Sequence, residues 1–186
     1  MNAWNTLWGS NDLKNIGITT ALTTAPCTWT VNYYEGPNHA NTTAGKRNLV
    51  DTTVLFTPKG RINLYLNGDY GRDGHIVGHG HDTWYGLAGA ARIQITNKIA
   101  LSPRLEFFND RNGFETGVTQ ILSEGTLTGE YKYSGHWIGR LEYRHDSSNR
   151  MFFNRGAQPA RSTEMTTATL GIMYVFGPTA GKPEGF

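Results

Sequence analysis

Cysteine is almost missing from this chain: Cys27 stands alone, so no internal disulfide can form, and no Cys/His spacing resembles a zinc site. Long apolar runs are missing too. No stretch approaches the roughly 18 unbroken apolar residues that a membrane-spanning helix requires, so a membrane could be crossed only by strands. No convincing amphipathic helical stretch is present. Neither G-x-G-x-x-G nor G-x-x-x-x-G-K-[ST] precedes a helix, which removes the phosphate-binding loops. No Ser or Asp nucleophile is tied by motif to a histidine, so the chain is not expected to be an enzyme. Charge of one sign is not gathered: 17 Lys+Arg face 15 Asp+Glu. The basic residues are scattered, where a nucleic-acid binder would collect them into a stripe. The opening MNAWNTLWGSNDLKN shows no basic n-region followed by an apolar h-region, so no secretory signal is visible.

Glycine and aromatic residues are abundant. The 186 residues include 23 Gly, 5 Trp, 9 Tyr and 8 Phe, in a chain whose mean hydropathy is negative. Many rings without an oily interior point away from an ordinary soluble core. The length suits one domain.

Extended segments alternate with tight and roomy connections. The tight ones fall at Ala25-Pro26, Pro58-Lys59-Gly60, Asn97-Lys98 and Ser134-Gly135, each carrying turn-forming residues. The roomy ones are GPNHANTTAGKR (36–47), GRDGHIVGHGHD (71–82), NDRNGFET (109–116) and DSSNRMFFNRGAQPARS (146–162). They occur at every second connection and so share one side. This asymmetry predicts an all-β, antiparallel, up-and-down transmembrane β-barrel of about ten strands, with short periplasmic turns and longer extracellular loops.

Period-two patterning sorts the strands into two faces. From 61 to 70, Ile62, Leu64, Leu66 and Tyr70 oppose Arg61, Asn63, Tyr65, Asn67 and Asp69. From 99 to 110, Ile99, Leu101, Leu105 and Phe107 oppose Ser102, Arg104, Glu106, Phe108 and Asp110. Between 137 and 146, Trp137, Gly139, Leu141 and Tyr143 leave Arg140, Glu142, Arg144 and Asp146 together. Four charges in a row do not line a dry core. Period two alone fits a soluble barrel or its inverse, but segments of about ten residues exceed the usual 5–6 and match the roughly 9–11 that cross a bilayer. Aromatics near the strand ends, among them Trp29, Tyr33, Tyr70, Trp84, Tyr131, Trp137 and Tyr174, would supply interfacial girdles.

The phrases WTVNYYEGP (29–37), RNLVDTT (47–53), LYLNGDYGRD (64–73), ALSPRLEFFNDRNGFETG (100–117), TLTGEY (126–131), RLEYRHDSSNRMFFNRG (140–156) and LGIMYVFGP (170–178) resemble the beta-barrel porin-2 (OmpL-like) family of Gram-negative outer membranes. The resemblance implies the C-terminal portion of a larger barrel whose members carry an export signal, located in the bacterial outer membrane. Residues 1–176 would form the barrel and 177–186 a short tail. It also implies that outer-membrane lipid, the barrel-assembly machinery and small polar solutes or ions are the partners, with a homo-oligomer as one possible state. The terminal strand looks like an assembly signal, carried by Gly171, Tyr174 and Phe176.

The expected lumen lining is Arg61, Asp69, Arg92, Arg104, Glu106, Glu130, Lys132, Arg140, Glu142 and Arg144. Such a ladder could set a transverse field and select solutes by charge, or its members could simply satisfy one another and stiffen a narrow barrel. His75, His79 and His81 have the chemistry of metal ligands, but a roomy loop offers no second shell, so no metal or cofactor is expected. Phe152 and Phe153 are expected to pack on the barrel rim. The expected function is passive diffusion of small polar solutes or ions. The alternatives are a plugged outer-membrane barrel with an adhesion or structural role, or a soluble ligand-binding β-barrel.

Overall fold

A computed structural model describes residues 14–176 apart from 38, 76 and 79. The strands are β1 (Ile16–Thr24), β2 (Cys27–Pro37), β3 (Lys46–Phe56), β4 (Ile62–Gly74), β5 (His81–Gln94), β6 (Ile99–Asp110), β7 (Gln120–Lys132), β8 (Trp137–Ser148), β9 (Phe153–Arg155), β10 (Gln158–Ser162) and β11 (Glu164–Tyr174). Nine of them make one sheet in the order β1-β2-β3-β4-β5-β6-β7-β8-β11, each antiparallel to the next. The short β9–β10 hairpin stands apart, inside the last roomy connection.

Tight connections join β1 to β2, β3 to β4, β5 to β6 and β7 to β8, and the roomy ones lie at the other end. The strands run further than period two suggested. Residues 71–74, read from the sequence as loop, belong to β4, because Gly71 and Asp73 pair with Leu49 and Arg47 of β3. Pro103 sits inside β6, and the β5–β6 ladder has no pairs between Ala90↔Arg104 and Ile93↔Leu101, as expected where proline supplies no N–H.

Register carries the alternation across the whole sheet. One face presents Leu66, Leu87, Leu105, Leu127, Leu141 and Leu170, all exposed. Glycines on this face leave room for them: a Cβ at Gly89 would stand 3.4 Å from a Leu66 methyl, and one at Gly125 3.7 Å from a Leu105 methyl. The other face is polar. Among the described residues the buried apolar side chains are few, Trp84 and Ala100 with Pro37, whereas Asp73, Asp110, Gln120, Glu124 and Asp146 are all buried. A dry core of the soluble kind is therefore not formed.

Among the described residues the strands number eleven, close to the expected ten, with β9 and β10 arising inside the segment read as open loop. One expectation needs correction. The sheet is not closed: β1 and β11 each have one neighbour among the described residues. Directions alternate along nine strands, so β1 and β11 run the same way and cannot meet through an antiparallel ladder. The tail at 177–186 lies outside the described residues.

Candidate functional site: the charged face of the sheet

Alternation and register put nine of the ten residues expected to line a lumen in phase on the polar face, all but Arg61. Glu130 stands directly across from Arg140, and Arg104 and Arg144 flank Thr126 from either side. Glu106 opposes Glu124, which opposes Asp146. Asp69 opposes Asp51, Arg92 opposes Asn63, Glu142 opposes Thr128, and Lys132 opposes Ile138. Arg61 precedes β4 by one residue, and its guanidinium donates to the Ile95 carbonyl at 3.4 Å.

The charges form two chains. In the first, Glu130 accepts from Arg92 and from Arg140, each at 2.9 Å, although Arg92 is two strands away. Ala100 lies between them on β6 and is buried beneath this bridge. In the second, Arg144 meets Glu124 at 2.9 Å and Asp146 at 2.7 Å, while Arg104 meets Glu106 and stands 3.7 Å from Glu124. Glu142 accepts from the Thr128 hydroxyl at 2.8 Å. Glu124 was missed in the sequence, although it lies in phase with Thr126, Thr128 and Glu130, and that phase was the available signal.

On β1–β4 the same face carries mostly uncharged partners. Thr19 donates to Asn32 at 2.8 Å, Asn32 donates to Asp51, and Asn67 donates to Asp51 at 2.6 Å. This ladder centres on Asp51, which sequence reasoning also passed over.

A third cluster occupies the roomy end of the face and corrects the sequence reading, which gave Trp84 to the interfacial girdle, for Trp84 is buried on the polar face. Arg47 donates to Asp73 at 2.7 Å, and His39 approaches the other Asp73 oxygen at 3.0 Å. The Arg47 guanidinium lies 4.7 Å from the Phe114 ring and 5.9 Å from the Trp84 ring. Trp84 and Phe114 are stacked, with centroids 5.2 Å apart. Since Trp84 belongs to the polar face, this stack folds the β6–β7 loop inward. Asp110, fully buried, secures the fold: its carboxylate accepts from the backbone N–H groups of Phe114, Glu115 and Thr116 and from the Thr116 hydroxyl, at 2.7–2.9 Å. Partial loss of water pushes the nearby Glu115 carboxyl above its ordinary pKa; the Asp110 and Asp73 carboxylates add to this and Arg47 opposes it. Nothing local in NDRNGFET announces the stack, because its partners come from β3, β4 and β5.

The histidines of 71–82 part company. His75 lies 3.2 Å from Asp82, His81 lies 3.3 Å from an Arg72 guanidinium nitrogen, and His79 falls outside the described residues. In the terminal strand, Gly171 opposes Arg140 on the polar face and Tyr174 opposes Trp137 on the apolar one. Tyr174 packs edge-on against Trp137 at 4.7 Å and against the exposed Phe176 at 4.6 Å.

A one-layer antiparallel meander, apolar on one face and charged on the other, is the wall of a barrel-type protein. The chain belongs to the family described as putative beta-barrel porin-2, OmpL-like, whose sequence profile matches residues 1–176. No curated protein and no solved structure shows significant similarity to the chain.

Proposed function

We propose that the chain forms part of the wall of an outer-membrane channel through which small polar solutes or ions diffuse passively, with the charged face lining the lumen and the leucine face toward lipid. The observation that carries this reading is the division of the sheet into a continuous exposed apolar face and a charged face with almost no buried apolar side chain. Soluble monomers seldom expose a continuous apolar face of this kind to water, whereas in a bilayer it meets the hydrocarbon. Strands β2–β8 and β11 contain 11–14 residues. At about 3.3 Å per residue they reach roughly 36–46 Å, which at a tilt near 40° still exceeds an apolar band of about 25 Å.

The Arg/Glu chains favour a wet lumen, since both signs alternate within ion-pair distance and half-exposed guanidiniums keep water on one side. Closure takes an odd number of further antiparallel strands, or one parallel seam, because the two edges run the same way. Reconstitution of the refolded chain into planar bilayers, with membrane insertion verified, tests the channel. Discrete conductance steps are expected, and complete silence would count against a pore formed from this chain.

A further inference from the structure

The β8–β11 connection returns over the polar face. Its base is tied down: Ser148 N–H donates to the Thr163 carbonyl at 2.8 Å, and the Asn149 side chain accepts from Ile121 N–H at 2.8 Å. Phe152 N–H donates to the Ser162 carbonyl at 2.9 Å, which closes the β9–β10 hairpin onto itself. This places Phe152 and Phe153, with ring centroids 5.4 Å apart and planes at 74°, over a cavity of about 230 Å³. Phe108, Leu122 and Met165 wall it. All three belong to the polar face by register and phase, so the cavity lies on the side read as lumen.

The floor is charged. Glu106, Glu124, Asp146 and Arg144 border the cavity, and Glu124 and Asp146 are among the buried charged residues of the fold. Adding Arg104, which contacts Glu106 and Glu124, three carboxylates face two guanidiniums. The local balance is one net negative charge. The hairpin's own Arg150, Arg155 and Arg161 are exposed and do not border the cavity. Although each carboxylate meets an arginine, an apolar enclosure over a floor with one net negative charge is matched by a ligand with an apolar body and a single positive charge. Phenyl faces attract such a cation as well. The volume equals that of roughly eight waters in the liquid, enough for an aryl or short alkyl ammonium and too small for the usual drug-sized ligand.

We propose that this cavity is a binding site for a small amphipathic organic cation, whose apolar part lies against Phe152, Phe153 and Met165 and whose ammonium is held by the carboxylates of Glu106, Glu124 and Asp146. The site needs only the folded polar face, so it stands whether or not the wall conducts.

The test is a calorimetric titration of the refolded chain in nonionic detergent with phenethylammonium, and with phenylacetate as the anion of similar size. Saturable binding of the cation is expected, at least tenfold tighter than the anion. Phe153→Ala and Asp146→Asn should each weaken it about tenfold. Met165→Trp keeps every charge and fills the cavity from a partly exposed position, so it should abolish binding even if Asp146→Asn does not fold. Absence of saturable binding to the folded protein, equal affinity for phenylacetate, or unchanged affinity in Met165→Trp each overturns the proposal. No current is measured, so a failed channel and a failed site give separate results.

Discussion

Gly71 shows how a single residue is decided by a partner that is distant in sequence. A Cβ there would lie 1.9 Å from the Trp84 indole, and Trp84 is held in turn by Phe114 and Arg47. Gly71→Ala is therefore expected to displace the indole and destabilise the fold by about 1–3 kcal/mol, the usual cost of overpacking, seen as a lower denaturant midpoint in detergent. Arg140 presents the opposite case, since its guanidinium is half-exposed and Glu130 keeps Arg92 when it is lost. Arg140→Ala should change stability by only about 0.2–1 kcal/mol, as exposed ion pairs do, yet shift the reversal potential of the channel toward cations. If stability fell by several kcal/mol while selectivity stayed fixed, the ladder would be a brace and not a filter.

At the scale of elements, the β6–β7 loop and strand β7 make separate tests. The loop is pinned by one carboxylate that accepts four hydrogen bonds. Charge-assisted bonds of this kind contribute about 1.5–3 kcal/mol each, so Asp110→Ala should raise local opening at least tenfold. Trypsin cleavage after Arg111, which follows the open population when reclosing is fast, reports it; an unchanged rate would mean that the Phe114–Trp84 stack holds the loop by itself. In β7, Leu127 and Thr128 are adjacent but face opposite ways. Leu127→Arg puts a charge on the leucine face and should cost about 2–4 kcal/mol of stability in a lipid bilayer. Thr128→Arg puts it opposite Glu142 and should be nearly neutral. A soluble barrel with the leucines inside would also reject Leu127→Arg, so the pair is scored in vesicles against detergent-free solution, where a soluble protein alone would stay folded.

For the whole molecule, the decisive feature is that the described residues form an open sheet with two edges running in one direction. Such edges leave rows of unpaired N–H and C=O groups, which hydrocarbon does not tolerate. The sheet must therefore be completed before it serves as a channel wall. Discrete conductance steps from this chain alone would mean that β1 and β11 meet in a parallel seam; silence would mean that further strands are needed.

Much of this was written in local sequence. Turn residues at 25–26, 58–60, 97–98 and 134–135 set the tight connections, and period two set the faces, because the two sides of a strand alternate strictly and each must meet one environment. Leu64, Leu66, Arg104 and Arg140 were assigned to opposite sides on that basis alone. Tertiary structure decided what depends on residues far apart in the chain: that Arg92 reaches Glu130 across two strands, that Arg47, Asp73, Trp84, Phe114 and Asp110 converge at one rim, and that Phe152 and Phe153 roof a cavity. It also decided that β1 and β11 are not paired with each other among the described residues. Alternation specifies which neighbours pair and which way each side chain points, but closure depends on strand number and direction summed over the whole sheet, which no local pattern contains.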